Sequence, residues 1–296
     1  FYAAAQILRD ARGHGVEVRP VDINHSDWDC TLEPAAAGST GLALRLGFRQ
    51  VNGLAKAETE TLVAARVAGN ARPFCDAEDM WRRSKLSAKA LEGLARADAF
   101  GSNGLVRRLT LWAVRRLGQL PLPLFAESGE PGPEPAVTLP PMAPGEAVSQ
   151  DYAALRLSLK AHPVALLREG LARDGAVPAA RLGGLPPGRL VTIAGLAITR
   201  QRPGTASGVI FITLEDESGI ANLIVWPKVF ERYRRETLGA RLICVTGELQ
   251  REGIVIHVVV RRMRDLTARL MALADPTLLA RPSADGHTMY PSRDFH

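Results

Sequence analysis

Five short runs between residues 189 and 266 alternate apolar and polar side chains, and this pattern constrains the fold more than any other feature. The runs are Val191–Gln201, Val209–Leu214, Ile220–Trp226, Arg241–Leu249 and Ile254–Arg262. Gly208, Gly219, Gly239 and Gly253 fall at the turns. In the last run Ile254, Ile256, Val258 and Val260 form one face, and Val255, His257 and Val259 the other. A helical stretch, Lys228–Leu238, separates the third run from the fourth. Five strands with a helix in that place give the order of an OB-fold, a small barrel that often binds single strands across one face and its flanking loops. The first loop, 202–208, is polar and begins with Arg202, and Arg251 marks the last hairpin. The same fold also holds sugars and proteins, so the pattern predicts the barrel more firmly than its ligand.

The rest of the chain is mostly helical in pattern. Residues 1–34 read as a helix over Ala3–Arg12, stopped by Gly13 and Gly15, and then an extended segment at Val16–Pro20. Asp22, His25, Asp27 and Asp29 suggest a metal site. Carboxylates that hold catalytic metals converge from separate elements, however, so a local polar turn is the expected role. Residues 42–118 repeat apolar side chains at helical spacing: Leu54, Leu62 and Ala65, then Leu86, Ala90, Leu91 and Leu94. Two short connections, Val51–Ala55 and Ala97–Gly101, sit beside short helices and suggest paired helix-hairpin-helix units. Such a hairpin can present backbone N–H groups to a phosphate at a helix N-terminus. A plain helical bundle accounts for the periodicity equally well.

Eight of the 20 prolines fall between residues 119 and 150, which marks an extended linker. It opens with Gln119-Leu120-Pro121-Leu122-Pro123-Leu124-Phe125. A linker has no core of its own for Leu122, Leu124 and Phe125, so they dock on a partner or on this chain's own domains. Residues 151–188 form a helical connector with a helix at Val164–Arg173, and 267–296 a tail.

Charge and composition narrow the function classes. The formal charge is +6, and 32 of the 37 basic residues are arginine, whose forked donors suit phosphate. Arginine bias across a genome would give the same ratio, so the charge gains meaning only from the fold. Cys30, Cys75 and Cys244 lie too far apart for a zinc site or a disulfide framework, which points to reduced thiols in a cytoplasmic protein. No apolar run approaches the ~20 residues of a membrane-spanning helix. Residues 1–15 do not read as a signal peptide, because Gln6, Arg9, Asp10 and Arg12 break the apolar run. The first methionine is Met80, so the sequence reads as a fragment of a longer protein.

Longer strings carry a resemblance. V-T-I-A-G-L (191–196) and R-Q-R-P-G-T-A-S-G-V-I-F-I-T-L-E-D-E-S-G-I-A-N-L-I-V-W-P (200–227) resemble the OB domain of bacterial C-family DNA polymerases, in the version of the error-prone, alpha-subunit-like polymerase of the damage-induced mutasome. F-Y-A-A-A-Q-I-L-R-D-A-R-G-H-G-V-E-V-R-P (1–20) and D-I-N-H-S-D-W-D-C-T-L-E (22–33) are similar to the end of that family's fingers region, and S-R-D-F-H (292–296) to its C-terminus. The resemblance implies an α+β, multidomain chain, a helix-hairpin-helix region followed by a five-stranded OB barrel. It would divide into the end of the fingers (1–41), helix-hairpin-helix region (42–118), linker (119–150), connector (151–188), OB domain (189–266) and tail (267–296). It implies low-fidelity, template-directed DNA synthesis in lesion bypass and DNA repair. The catalytic carboxylates and their magnesium would lie in a palm upstream of Phe1, so no catalytic residue, metal ligand or cofactor is assigned here. Gln119, Leu122, Leu124 and Phe125 resemble the peptide that binds the bacterial sliding clamp.

The family's hairpin region maps on residues 47–104, and this sequence departs from it at two points. Ala55 and Asp98 stand where glycines are usual, which argues against close phosphate approach there. The expected DNA contacts are Lys56, Arg107 and Arg108 near the hairpins, and Arg200, Arg202, Phe211, Trp226 and Arg251 along a single-strand path on the barrel. The expected partners are single-stranded and primer-template DNA, the sliding clamp and other mutasome proteins. A stand-alone single-strand-binding module and a mutasome scaffold are the competing readings.

Overall fold

Alternating side chains close the C-terminal part of the chain into a barrel in a computed structural model that describes residues 4–35, 41–68, 72–117, 139–204, 208–253 and 255–275. The strands are β4 (Leu190–Gln201), β5 (Ile210–Glu215), β6 (Ile220–Val225), β7 (Leu242–Glu252) and β8 (Val255–Asp265). Their order around the ring is β4-β5-β6-β8-β7, every pair antiparallel except β6 with β8. On β5, Ile210, Ile212 and Leu214 are buried while Phe211, Thr213 and Glu215 are half-exposed, a period of two that fixes which face is the core. Leu223, Val225, Ile243, Val245, Leu249 and Val258 join that core. Each such side chain contributes roughly 1.5–3 kcal/mol on leaving water.

The barrel also depends on backbone crowding. The β7–β8 ladder shifts register between Thr246 and Gly247. A Cβ at Gly247 would collide with the carbonyl of Val259, so only glycine fits there. The stretch expected as one helix over 228–238 is two, α8 (Pro227–Arg232) and α9 (Arg234–Gly239). The break is Tyr233, whose backbone (φ −118, ψ 37) is not helical and whose ring packs against the barrel core beside Val229 and Phe230.

Two compact units divide the chain: residues 1–143 with 150–159, and 144–149 with 160–296. Helix α6 (Pro144–Leu155) contributes to both. The barrel unit also holds α7 (Pro163–Arg173), a 3-10 turn at 179–184 and α10 (Thr267–Met271). Val164 and Leu171 of α7 pack with Leu242, Cys244, Leu266 and Leu270 in a second apolar cluster. The β5–β6 turn is organised by Asp216, which accepts from the N–H groups of Ala179, Ser218 and Gly219 and from Arg168. Burial opposes its ionisation, but those donors outweigh burial and hold the carboxyl below its usual range.

The other unit begins with α1 (Ala4–Gly13) and a three-stranded sheet of β1 (Val18–Arg19), β2 (Thr31–Pro34) and β3 (Leu42–Arg45), in the order β1-β3-β2. Sequence periodicity assigned residues 42–118 to helix, yet 42–45 pair with 18–19 and 31–34. Glu33 locks the sheet by accepting from Arg19 at 2.8 Å and from Arg45 at 2.9 and 3.0 Å. Helices α2 (Lys56–Ala68), α3 (Ala77–Ser84), α4 (Ala88–Arg96) and α5 (Arg107–Leu117) follow. Asp76 and Ser87 cap α3 and α4 by accepting the N–H groups of Asp79 and Ala90. One core joins Val21 and Ile23 to Phe48, Leu62, Phe74, Met80, Leu91, Leu94 and Phe100.

Candidate nucleic-acid interface

The first hairpin turns through Gly53, at φ +77, and leads into α2. The N–H of Asn52 is anchored to the carbonyl of Ala154 at 2.8 Å. The first N–H groups of α2 have no partner within the helix, which favours an anion there. Lys56 stands at this end, exposed, with Glu60 3.7 Å away.

The second hairpin is different. Asp98 adopts φ 61, the left-handed conformation that glycine takes without cost. The N–H of Ser102, just beyond it, donates to the buried carboxylate of Asp22 at 2.8 Å. The other Asp22 oxygen accepts from Asn24 N–H at 2.8 Å. A protein carboxylate thus takes up a backbone N–H of the second hairpin, in line with the expectation that Asp98 argues against close phosphate approach there. Nor do the neighbouring acids form a metal cluster: Asp27 pairs with Arg66 at 2.7 Å and Asp29 with Arg49 at 2.5 Å.

Several expected DNA contacts have partners within the fold. Arg107 is buried, hydrogen-bonded to Asp151 and 3.7 Å from Asp98, so it cannot meet a phosphate without breaking a buried pair. Its partner lies 44 residues away, which local sequence does not reveal. Arg108 donates to the Pro140 carbonyl at 2.7 Å. Arg200 donates to the carbonyls of Thr237 and Ala240 and so ties down the end of α9. Arg251 is within the β7–β8 ladder, opposite Ile256, rather than in the turn, and it hydrogen-bonds the Gly183 carbonyl.

The remaining barrel residues stay at the surface. Phe211 lies on the outward face of β5, in register with Gln201 on β4 and Ile224 on β6. The next outward row is Thr213, Asn222 and His257. Trp226 is 52% exposed and precedes α8. Arg202 is exposed, and its guanidinium stands 5.6 Å from the centre of the Phe230 ring. Arg234, on α9, approaches the same ring at 5.8 Å. Sequence reasoning did not select Phe230 or Arg234, because both sit in what reads as an ordinary amphipathic helix. The clamp-binding candidates Gln119, Leu122, Leu124 and Phe125 lie outside the described residues.

Comparison with known proteins gives these surfaces a context. Residues 15–110 match a helix-hairpin-helix motif family, and residues 191–266 match an OB-fold nucleic acid binding domain family. The error-prone DNA polymerase of Ruegeria pomeroyi is 48% identical over 320 residues, covering 100% of this chain. Error-prone DNA polymerase 1 of Rhizobium meliloti is 47% identical over 319 residues, covering 96% of the chain. Error-prone DNA polymerase 2 of Agrobacterium fabrum is 49% identical over 283 residues and covers 93%.

Over 93 to 100% of its length the chain is similar to proteins named error-prone DNA polymerase.

It spans 28% of the length of the first two of these polymerases and 26% of the third. The chain carries a helix-hairpin-helix region and an OB barrel. Among the described residues, no helix is long and apolar enough to cross a membrane.

Proposed function

We propose that this chain is the DNA-handling part of an error-prone, DNA-directed DNA polymerase that acts in DNA repair and translesion synthesis in the cytoplasm. The observation that carries the reading is a closed barrel in OB strand order whose sequence matches a nucleic-acid-binding family, behind a helix-hairpin-helix region, in relatives named error-prone DNA polymerases. The barrel takes single-stranded template through Arg202, Phe211 and Trp226, each stacked base contributing ~1–3 kcal/mol. The first hairpin, with Lys56, takes duplex backbone without sequence preference. Nucleotidyl transfer, and the magnesium it needs, reside in a palm outside these 296 residues. Oligothymidylate and primer-template duplex should both bind the isolated chain with affinities that fall as salt rises. Absence of binding at low salt would reject the reading. With magnesium and nucleotides the chain alone should extend no primer, and extension abolished by Asp27→Ala would show that it is itself catalytic.

A second partner rests on sequence. Gln119, Leu122, Leu124 and Phe125 form a tether to the bacterial sliding clamp, where Leu124 and Phe125 fill an apolar pocket and Gln119 hydrogen-bonds at its rim. A topologically linked ring raises the local concentration of primer ends, and the linker prolines reduce the ordering cost on docking. Binding of the free peptide at about micromolar strength, near −8 kcal/mol, is expected. Replacing Leu124 and Phe125 by Ala should abolish clamp capture and leave the melting temperature unchanged. Retained capture with a large drop in melting temperature would make the stretch an internal latch.

A further inference from the structure

Phe230 carries two arginines at once. The guanidiniums of Arg202, from the β4–β5 loop, and Arg234, from α9, lie 5.6 and 5.8 Å from its centroid. Both arginines are exposed, and among the described residues neither has a carboxylate within ion-pair distance. Some other arginines of the same unit are compensated, Arg168 by Asp216 and Glu217, Arg261 by Glu248 and Arg269 by Asp174, while Arg232 stands 5.4 Å from the Tyr233 ring without an ion pair among the described residues. The Arg202 guanidinium also lies close to Gly208. Gly208, at φ +82, brings the loop against α8, so that a Cβ there would lie 3.5 Å from the Arg202 guanidinium and 3.6 Å from Pro227. Phe230 itself packs against the barrel core. Trp226 is exposed one residue before Pro227. Between residues 189 and 266 there are twelve basic residues against eight acidic ones, so the surroundings do not cancel the charge.

Two like charges fixed on one aromatic ring leave a positive potential that an anion would relieve. A guanidinium that donates in a fork matches a phosphodiester, and the neighbouring indole offers a face on which a base can stack. We propose that Arg202 and Arg234, braced by Phe230, clamp the phosphodiester backbone of single-stranded DNA at the edge of the barrel, with Trp226 stacking an adjacent base. This rests on the nucleic-acid reading of the barrel and adds a location: the backbone passes over α8 and α9 rather than across the β7–β8 hairpin.

The test is binding of a fluorescent oligothymidylate by the full 296-residue chain across a salt series. Each phosphate contact removed should lower the slope of log K against log salt by about 0.7. Arg234→Gln and Arg202→Gln should each do so, and the double variant should lower it by about 1.4. Both side chains are exposed, so the variants should keep the wild-type melting temperature. The same decrements on an abasic strand would confirm that phosphate is what the arginines hold, and their disappearance there would overturn the clamp. A double variant with unchanged affinity and slope would overturn this site while leaving the barrel reading intact. A wild-type chain that ignores oligothymidylate would overturn both.

Discussion

The carboxylate of Asp22 accepts the backbone N–H of Ser102 at 2.8 Å across 80 residues of sequence. It also accepts the N–H of Asn24, and the Asp22 residue is 4% exposed. Asp22→Ala would remove two part-buried hydrogen bonds to a charged acceptor, each worth roughly 1.5–3 kcal/mol before water replaces them. Urea unfolding should show a loss of about 2–4 kcal/mol. A change under about 0.5 kcal/mol would mean that water replaces the carboxylate.

Asp98→Gly separates backbone strain from DNA contact. Glycine at φ 61 relieves about 1 kcal/mol, offset by loss of the 3.7 Å approach to Arg107. The expected result is stability within about 1 kcal/mol of wild type. Duplex affinity should not change, because Asp22 already fills the neighbouring Ser102 N–H. Tighter duplex binding by the glycine variant, read by anisotropy, would return the second hairpin to the DNA interface.

Arg107→Ala should behave as a folding variant. It breaks a buried pair with Asp151, a class of change that costs about 3–5 kcal/mol. Thermal unfolding should show the loss, while the oligothymidylate affinity of the fraction still folded stays at the wild-type value. Wild-type stability with reduced duplex affinity would restore Arg107 as a DNA contact.

Acid should loosen the β1–β3–β2 sheet through Glu33. Hydrogen bonds from Arg45, and then from Arg19, outweigh burial and pull its carboxyl from 4.5 down to about 2. A folded-state pKa below the unfolded one means stability that is complete above about pH 4.5 and is lost as pH falls toward 2. The side chain is 20% exposed, and the full contribution is at most about 3 kcal/mol. Glu33→Gln should flatten the fall in urea-unfolding stability across that acid range. An acid limb identical to wild type would assign it to other carboxylates.

The barrel was legible because strand alternation and turn glycines are local signals, each read within about ten residues. Strand β3 was not, because four residues, Leu42–Arg45, are too few to show a period against the helices that follow. The kink at Tyr233 escaped for a related reason: 229, 230, 233 and 237 have helical spacing whether or not the helix is continuous. The expected site residues differ in exposure. Arg202 and Trp226 remain at the surface, whereas Arg107 and Arg200 are taken up by Asp151 and by the end of α9. Those partners lie 37 to 44 residues away, beyond what pattern reading reaches.

The pairing of β6 with β8 passes over α8, α9 and β7, and it joins Asn222, Leu223 and Ile224 to His257, Val258 and Val259. During synthesis those three pairings must wait until the ribosome has released the last strand. Until then β6 and β7 each present an unsatisfied edge, the kind of surface that recruits strands from other chains. A transcript cut short before residue 255 would therefore yield an aggregation-prone sheet rather than a weaker version of the barrel.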